Sequence, residues 1–122
     1  MRVLFCQTVP YPPESTGGAE STVHALCRGL RARGVAAEVL AGLRRDAPLL
    51  QRVRAAFRRG PHGIHTDRRF GYPVHRSRDP LAALAALCRE SERPVVVAEA
   101  GAVFALCRRA PELGLPVLAY LQ

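Results

Sequence analysis

Residues 1–34 read MRVLFCQTVPYPPESTGGAESTVHALCRGLRARG, and this stretch decides the fold. Residues 3–6 form a short apolar run suited to a buried strand. Residues 9–16 carry Pro10, Pro12 and Pro13 and read as a loop. Gly17 and Gly18 come next, and then an amphipathic pattern with Val23, Leu26, Cys27 and Leu30 on one helical face. Gly34 stops that helix. A strand, a glycine turn and a helix starting at the turn make a corner suited to phosphate. The first N–H groups of the helix lack partners there and carry the positive end of its dipole.

The rest of the chain repeats the alternation. Strand-like runs recur at 36–40, about 72–76, 95–99 and 117–121. Between them, 47–59 predicts a helix with Leu49, Leu50, Val53 and Phe57 on one side. Asp79-Pro80 predicts a helix start, with Asp as N-cap and Pro at the first helical position, followed by Leu81, Leu84, Leu87 and Cys88 on one face. A last helix is expected over about 102–109, ended by Pro111. The runs at 95–98 and 117–121 are continuously apolar, the pattern of strands buried on both faces. The expected fold is therefore α/β, a Rossmann-like doubly wound parallel sheet of five strands in the order 3-2-1-4-5 flanked by helices. Ligands of such sheets bind beyond the carboxyl ends of the strands, where the first glycine turn lies.

Composition narrows the class. At 122 residues, 48% apolar and 23% charged, the chain has the make-up of one globular domain. No apolar run approaches the roughly 20 residues of a membrane helix, and the amino terminus lacks a signal-peptide pattern, so a cytoplasmic protein is expected. Cys6, Cys27, Cys88 and Cys107 form no C-x-x-C pair, which leaves zinc and thioredoxin-like readings unsupported; buried, reduced thiols are expected. No G-x-G-x-x-G follows the first strand, which argues against an ordinary dinucleotide dehydrogenase. A P-loop nucleotidase is excluded, because the chain has no lysine.

The net charge is +8, and all 18 basic residues are arginine, the side chain suited to forked contacts with phosphate and carboxylate. Ten of the arginines, with His62, His65 and His75, fall within 43–79. Such a segment suits an anionic membrane surface or a phosphorylated acceptor, and equally a solvated helix face and loop. Aromatic residues make up 6% and no nucleic-acid motif is present, which argues against nucleic acid as a partner.

With these residues in place, a family likeness emerges. The segment RVLFCQTVPYPPESTGGAESTVHALCRGLRARGVAAEVLAG resembles the opening of family-4 glycosyltransferases of the GT-B fold. These begin with a strand, a P-x-x-P loop, GGAE, an amphipathic helix, L-x-x-x-G-H and a second strand. Pro10, Pro12, Pro13, Gly17, Gly18, Ala19, Glu20, Leu30 and Gly34 carry the match, and Gly114, Pro116, Val117 and Leu118 resemble a later strand motif. The resemblance covers both ends of the chain and leaves the middle third unplaced.

The resemblance implies a retaining transferase that moves a sugar from a nucleotide-diphosphate donor to a hydroxyl acceptor, with no metal or other cofactor. It implies two Rossmann-like domains, of which residues 1–122 are the amino-terminal, acceptor-side one and a carboxy-terminal donor-binding domain is the missing partner. Gln122 directly follows a strand, in keeping with the expectation that this is the first part of a longer protein. Alone it is expected to be inactive, and its exposed cleft face is a candidate surface for self-association. Where the family often carries histidines after its fourth and fifth strands, this chain has Glu99 and Gln122.

The candidate residues follow. Gly17 and Gly18 are expected to let backbone amides approach the donor diphosphate, or to serve the turn alone. Glu20 reads as a helix cap or a sugar contact. Glu99 reads as a base or hydrogen-bond acceptor for the acceptor hydroxyl, or as a cap of the next helix. Arg68, Arg69, His75, Arg76 and Gln122 complete the sugar and acceptor candidates, and His24 is expected to be structural. The competing reading is a stand-alone Rossmann-like module that binds an anionic, phosphorylated partner through its arginines.

Overall fold

The computed structural model describes residues 1–11, 18–43, 63–88, 93–99 and 103–120. The elements run β1 (Arg2–Pro10), α1 (Gly18–Ala32), β2 (Ala36–Gly42), β3 (His65–Asp67), β4 (Val74–Ser77), α2 (Pro80–Leu87), β5 (Val95–Ala98), α3 (Val103–Glu112) and β6 (Val117–Ala119). The expected helix at 47–59 lies outside the described residues.

The strands form one sheet in the order β3-β4-β2-β1-β5-β6. All neighbours are parallel except β3, which pairs antiparallel with β4. The architecture is thus α/β with a mostly parallel six-stranded sheet flanked by helices, compatible with a Rossmann-like fold. Strand count and order both differ from the expected five-strand 3-2-1-4-5 sheet, because residues 65–67 turn back and add an antiparallel edge strand outside β4.

Strand alternation divides the core between the two faces. Val3, Phe5, Ala37, Val39, Val74 and Val97 point toward α1 and pack with its Val23 and Cys27. Leu4, Cys6, Leu40, Val96 and Ala98 point the other way, toward Leu84 and Leu87 of α2 and Leu106 and Ala110 of α3. Cys6 and Cys27 are buried, Cys88 and Cys107 half-buried, and all four are free thiols.

The helix ends follow local chemistry. At the end of α1, Val35 N donates to Leu30 O and Gly34 N to Arg31 O, both at 3.0 Å, with Gly34 at φ +81°. This is a Schellman stop, and the positive φ is the reason for the glycine. Asp79 caps α2, its carboxylate accepting from Ala82 N at 3.2 Å.

Three expectations are corrected. Leu26, placed by its spacing on the buried face of α1, is 39% exposed; Glu20, Val23 and Cys27 fill the stripe that meets the sheet. Pro111 does not end α3 but lies inside its last turn. The stop comes at Gly114 (φ +73°), where Leu115 N reaches Ala110 O at 2.9 Å and Gly114 N reaches Pro111 O at 2.9 Å. β6 is an edge strand rather than one buried on both faces: Leu118 is 61% exposed and Ala119 is exposed.

Candidate functional site

β1 and β5 are neighbours, while the chain leaves β1 toward β2 on one side and reaches β5 and β6 on the other. Their carboxyl ends therefore form the switch point at which open α/β sheets bind ligands. Glu99 stands there. Its backbone N–H donates to Cys6 O at 3.0 Å, carrying the β1–β5 ladder one residue past the strand. Two positions beyond Val97, its side chain projects to the face that α1 covers.

The Glu99 side chain is held out of water; the residue is 1% exposed. Neither of its carboxylate oxygens has a hydrogen-bond partner among the described residues. Burial, reinforced by the charge of Glu20, pushes its carboxyl up to about 7. Glu20 belongs to the first turn of α1 and is itself buried. The charge of Glu20 thus reaches Glu99 from the start of α1. Cys6, Cys27 and Tyr11 also feel the Glu99 charge, and burial is the main cause that pushes each of them up, Cys27 to about 12.

Gly18 opens α1 and is exposed. A Cβ there would meet nothing within 4 Å, so packing against the described residues does not demand glycine. Gln7 marks the start of a bulge: β1 register moves from Cys6↔Leu40 to Pro10↔Gly42, and Gln7 Nε2 donates to Val9 O at 3.0 Å.

A second cluster lies on the α1 face. The Tyr72 hydroxyl sits 2.7 Å from the Tyr11 hydroxyl and 2.6 Å from His24 Nδ1. Phe70 stacks on Tyr72 and meets His24 edge-on. Arg76 donates to Tyr11 O at 2.9 Å and pairs with Asp67 at 3.0 Å.

On the opposite face, Glu38 receives Arg2 and, at 2.7 Å, His75 Nε2; His75 Nδ1 lies 2.7 Å from Thr66 Oγ1. Arg2 also donates to Leu87 O at 3.0 Å. Burial raises the Glu38 carboxyl, but hydrogen bonds and charge from His75 and Arg2 outweigh it and hold it at about 2.

The sequence candidates therefore separate. Gly18 and Glu20 lie in the first turn of α1, and Glu99 stands at the switch point. Arg68 and Arg69 are exposed beside the turn that leads to β4. His75 and Arg76 are buried and bonded within the sheet, on opposite faces. Gly17 and Gln122 lie outside the described residues. His24 joins the tyrosine cluster.

Sequence reasoning missed the Arg2–Glu38–His75 system and the tyrosine pair. The one available signal was an acid, Glu38, inside an otherwise apolar strand run.

Among the described residues no group of three or more His, Cys, Asp or Glu is placed to hold a metal ion. None of the described helices is long and apolar enough to cross a membrane. No protein-family model, no curated protein and no solved structure matches the chain.

Proposed function

We propose that this chain is the Rossmann-like, acceptor-side domain of a retaining glycosyltransferase of the GT-B type. The complete enzyme moves a sugar from a nucleotide-diphosphate donor to a hydroxyl acceptor, with a second domain supplying most of the donor site. The observation that carries this reading is the buried Glu99 carboxyl at the switch point, near the start of α1, without a partner among the described residues.

A buried acid without a partner costs stability, and active sites are where such costs are retained. A hydroxyl bound at Glu99 supplies the missing hydrogen bond. With its carboxyl pushed up to about 7, Glu99 is poised to share or accept the hydroxyl proton as the oxygen becomes a nucleophile. The start of α1 offers unpaired N–H groups to the donor phosphates, and Gly18 leaves their approach open.

The alternative, a module for an anionic partner, rests on the arginines. Arg76 is engaged with Asp67 and Tyr11, and His75 with Glu38, so only Arg68 and Arg69 of those candidates face outward. The transferase reading is placed first on the strength of Glu99, with cytoplasmic location and peripheral membrane contact as parts of the proposal.

The test is a titration of isotope-labelled protein with nucleotide-diphosphate sugars. The expected result is a saturable, salt-tolerant shift of the Gly18 and Glu20 amide signals. A response that falls steeply with salt and is matched by inorganic polyphosphate overturns the transferase reading in favour of a charge-driven module.

A further inference from the structure

Tyr11, Tyr72 and His24 meet from three parts of the chain: Tyr11 lies just beyond β1, Tyr72 just before β4, and His24 on α1. The Tyr72 hydroxyl stands 2.7 Å from the Tyr11 hydroxyl and 2.6 Å from His24 Nδ1. Both phenols are enclosed, Tyr11 at 0% and Tyr72 at 1% exposure, while His24 is half-buried. No other hydrogen bond reaches either hydroxyl among the described residues.

Two hydrogen bonds need two protons, and each hydroxyl carries one. If His24 is neutral with its proton on Nε2, Nδ1 is bare. Tyr72 then donates to Nδ1, Tyr11 donates to Tyr72, and every proton has an acceptor. A proton on Nδ1, in the other neutral tautomer or in the charged imidazolium, brings three protons to two bonds. One phenol proton is then left without an acceptor in an enclosed site, which is unfavourable.

We propose that this cluster is a proton-sensitive latch. It fixes neutral His24 with its proton on Nε2 and holds α1 to the residues that lead into β4, and charging His24 loosens that hold. Phe70 belongs to the same contact, its ring edge-on to His24 at 5.5 Å and stacked on Tyr72 at 6.2 Å. Histidine is the side chain that ordinarily changes charge between about pH 5 and 8. The latch requires no ligand at the switch point and is independent of the transferase reading.

The charged and titratable groups around the cluster set the controls. On α1, Glu20 and Arg28 lie one turn to either side of His24, with Cys27 beside Arg28. Tyr72 feels Cys27, Arg76 of β4 and Asp67 of β3, the last two paired at 3.0 Å. Burial pushes Tyr72 and Cys27 up to about 12 and raises Tyr11 as well, so all three keep their protons. Tyr11 and Cys27 also feel Glu99, whose carboxyl, pushed up to about 7, titrates in the range of histidines. Glu99→Gln removes that second titration.

The experiment follows the isotope-labelled full chain by magnetic resonance from about pH 8 to about pH 5. At the alkaline end the imidazole nitrogens are expected to show the His24 proton on Nε2. As charged His24 appears, hydrogen-exchange protection of the Val23, His24 and Cys27 amides is expected to fall at least about tenfold, in the parent and in Glu99→Gln alike. His24→Asn keeps an acceptor for the Tyr72 proton and cannot charge, and Tyr72→Phe removes both bonds. In each of these variants protection is expected to change less than about twofold over the same range. If one of them does not fold, the other decides.

Four results overturn the proposal: a proton on Nδ1 at the alkaline end, an imidazole that stays neutral to the acid end, protection indifferent to the charge of His24, or a loss that persists in a folded variant.

Discussion

Gly42 lies against the carbonyl of Thr8 so closely that a Cβ at position 42 would stand 2.2 Å from the Thr8 oxygen. The contact arises where the β1 register shifts between Cys6 and Pro10 and the bulged backbone leans over the end of β2. The obstacle is backbone, which yields poorly. Gly42→Ala is therefore expected to cost about 2 to 3 kcal/mol, read as a lower urea midpoint at unchanged slope. A midpoint equal to that of the parent chain would show that the bulge relaxes freely.

Glu38 binds the buried guanidinium of Arg2, so Glu38→Gln leaves a cation without its counter-charge. The expected loss near neutral pH is about 3 kcal/mol. The folded-state carboxyl is depressed from 4.5 to about 2. Its contribution is therefore complete above pH 4.5 and disappears as pH falls toward 2. Urea midpoints of parent and variant should converge across that interval, and parallel curves would refute the assignment.

Glu99 has the opposite sign. Its folded-state carboxyl is raised from 4.5 to about 7, so its stability term is fully present below pH 4.5 and is lost as pH climbs through 7. The charged or titratable groups that act on it or feel its charge are Glu20 and Cys27 on α1 and Tyr11 beyond β1, with Cys6 on the far face of β1; the thiols and the phenol are pushed upward and stay neutral in this range. Glu99→Gln is expected to match the parent below pH 4.5 and to exceed it by up to about 3 kcal/mol above pH 7. Equal midpoints at alkaline pH would mean that the carboxyl is solvated.

Tyr72 serves two partners at once, the Tyr11 hydroxyl and His24 Nδ1. Tyr72→Phe keeps the ring that stacks on Phe70 and removes both bonds. Because the Tyr11 hydroxyl is then left buried without this partner, the expected cost is about 1 to 3 kcal/mol. Tyr11→Phe in the same background should recover part of it, and chemical denaturation of both variants checks the pair.

Much of the fold was legible because strand runs and glycine stops are local signals. Gly34 ends α1 through its own backbone conformation, and the apolar stretch at 95–98 needs a sheet to bury it. The antiparallel strand was not legible. His65, Thr66 and Asp67 show no apolar alternation, and they form a strand only because β4 offers an edge and partners for their side chains.

The residues of β6 are as apolar as those of β5, so the sequence pattern alone could not distinguish an exposed edge from a central position. His75 and Arg76 lay in a basic segment that suggested a surface. Alternation sends them to opposite faces, and each finds an acid there, which depends on pairing across strands rather than on neighbours in the chain. Glu99 was visible as an acid closing an apolar run. That the charge of Glu20 reaches it follows only from the way α1 lies over the sheet.

The alternation of side chains also makes the sheet an insulator between two polar systems. Arg2, Glu38, His75 and Thr66 lie on the α2 side; Glu20, Glu99, Arg76 and the tyrosines lie on the α1 side. A layer of backbone and aliphatic side chains separates them. Damage on one side can therefore be repaired by substitutions on that side alone. The acids at the switch point are left free to be retuned for a new ligand while the opposite face goes on anchoring the strands.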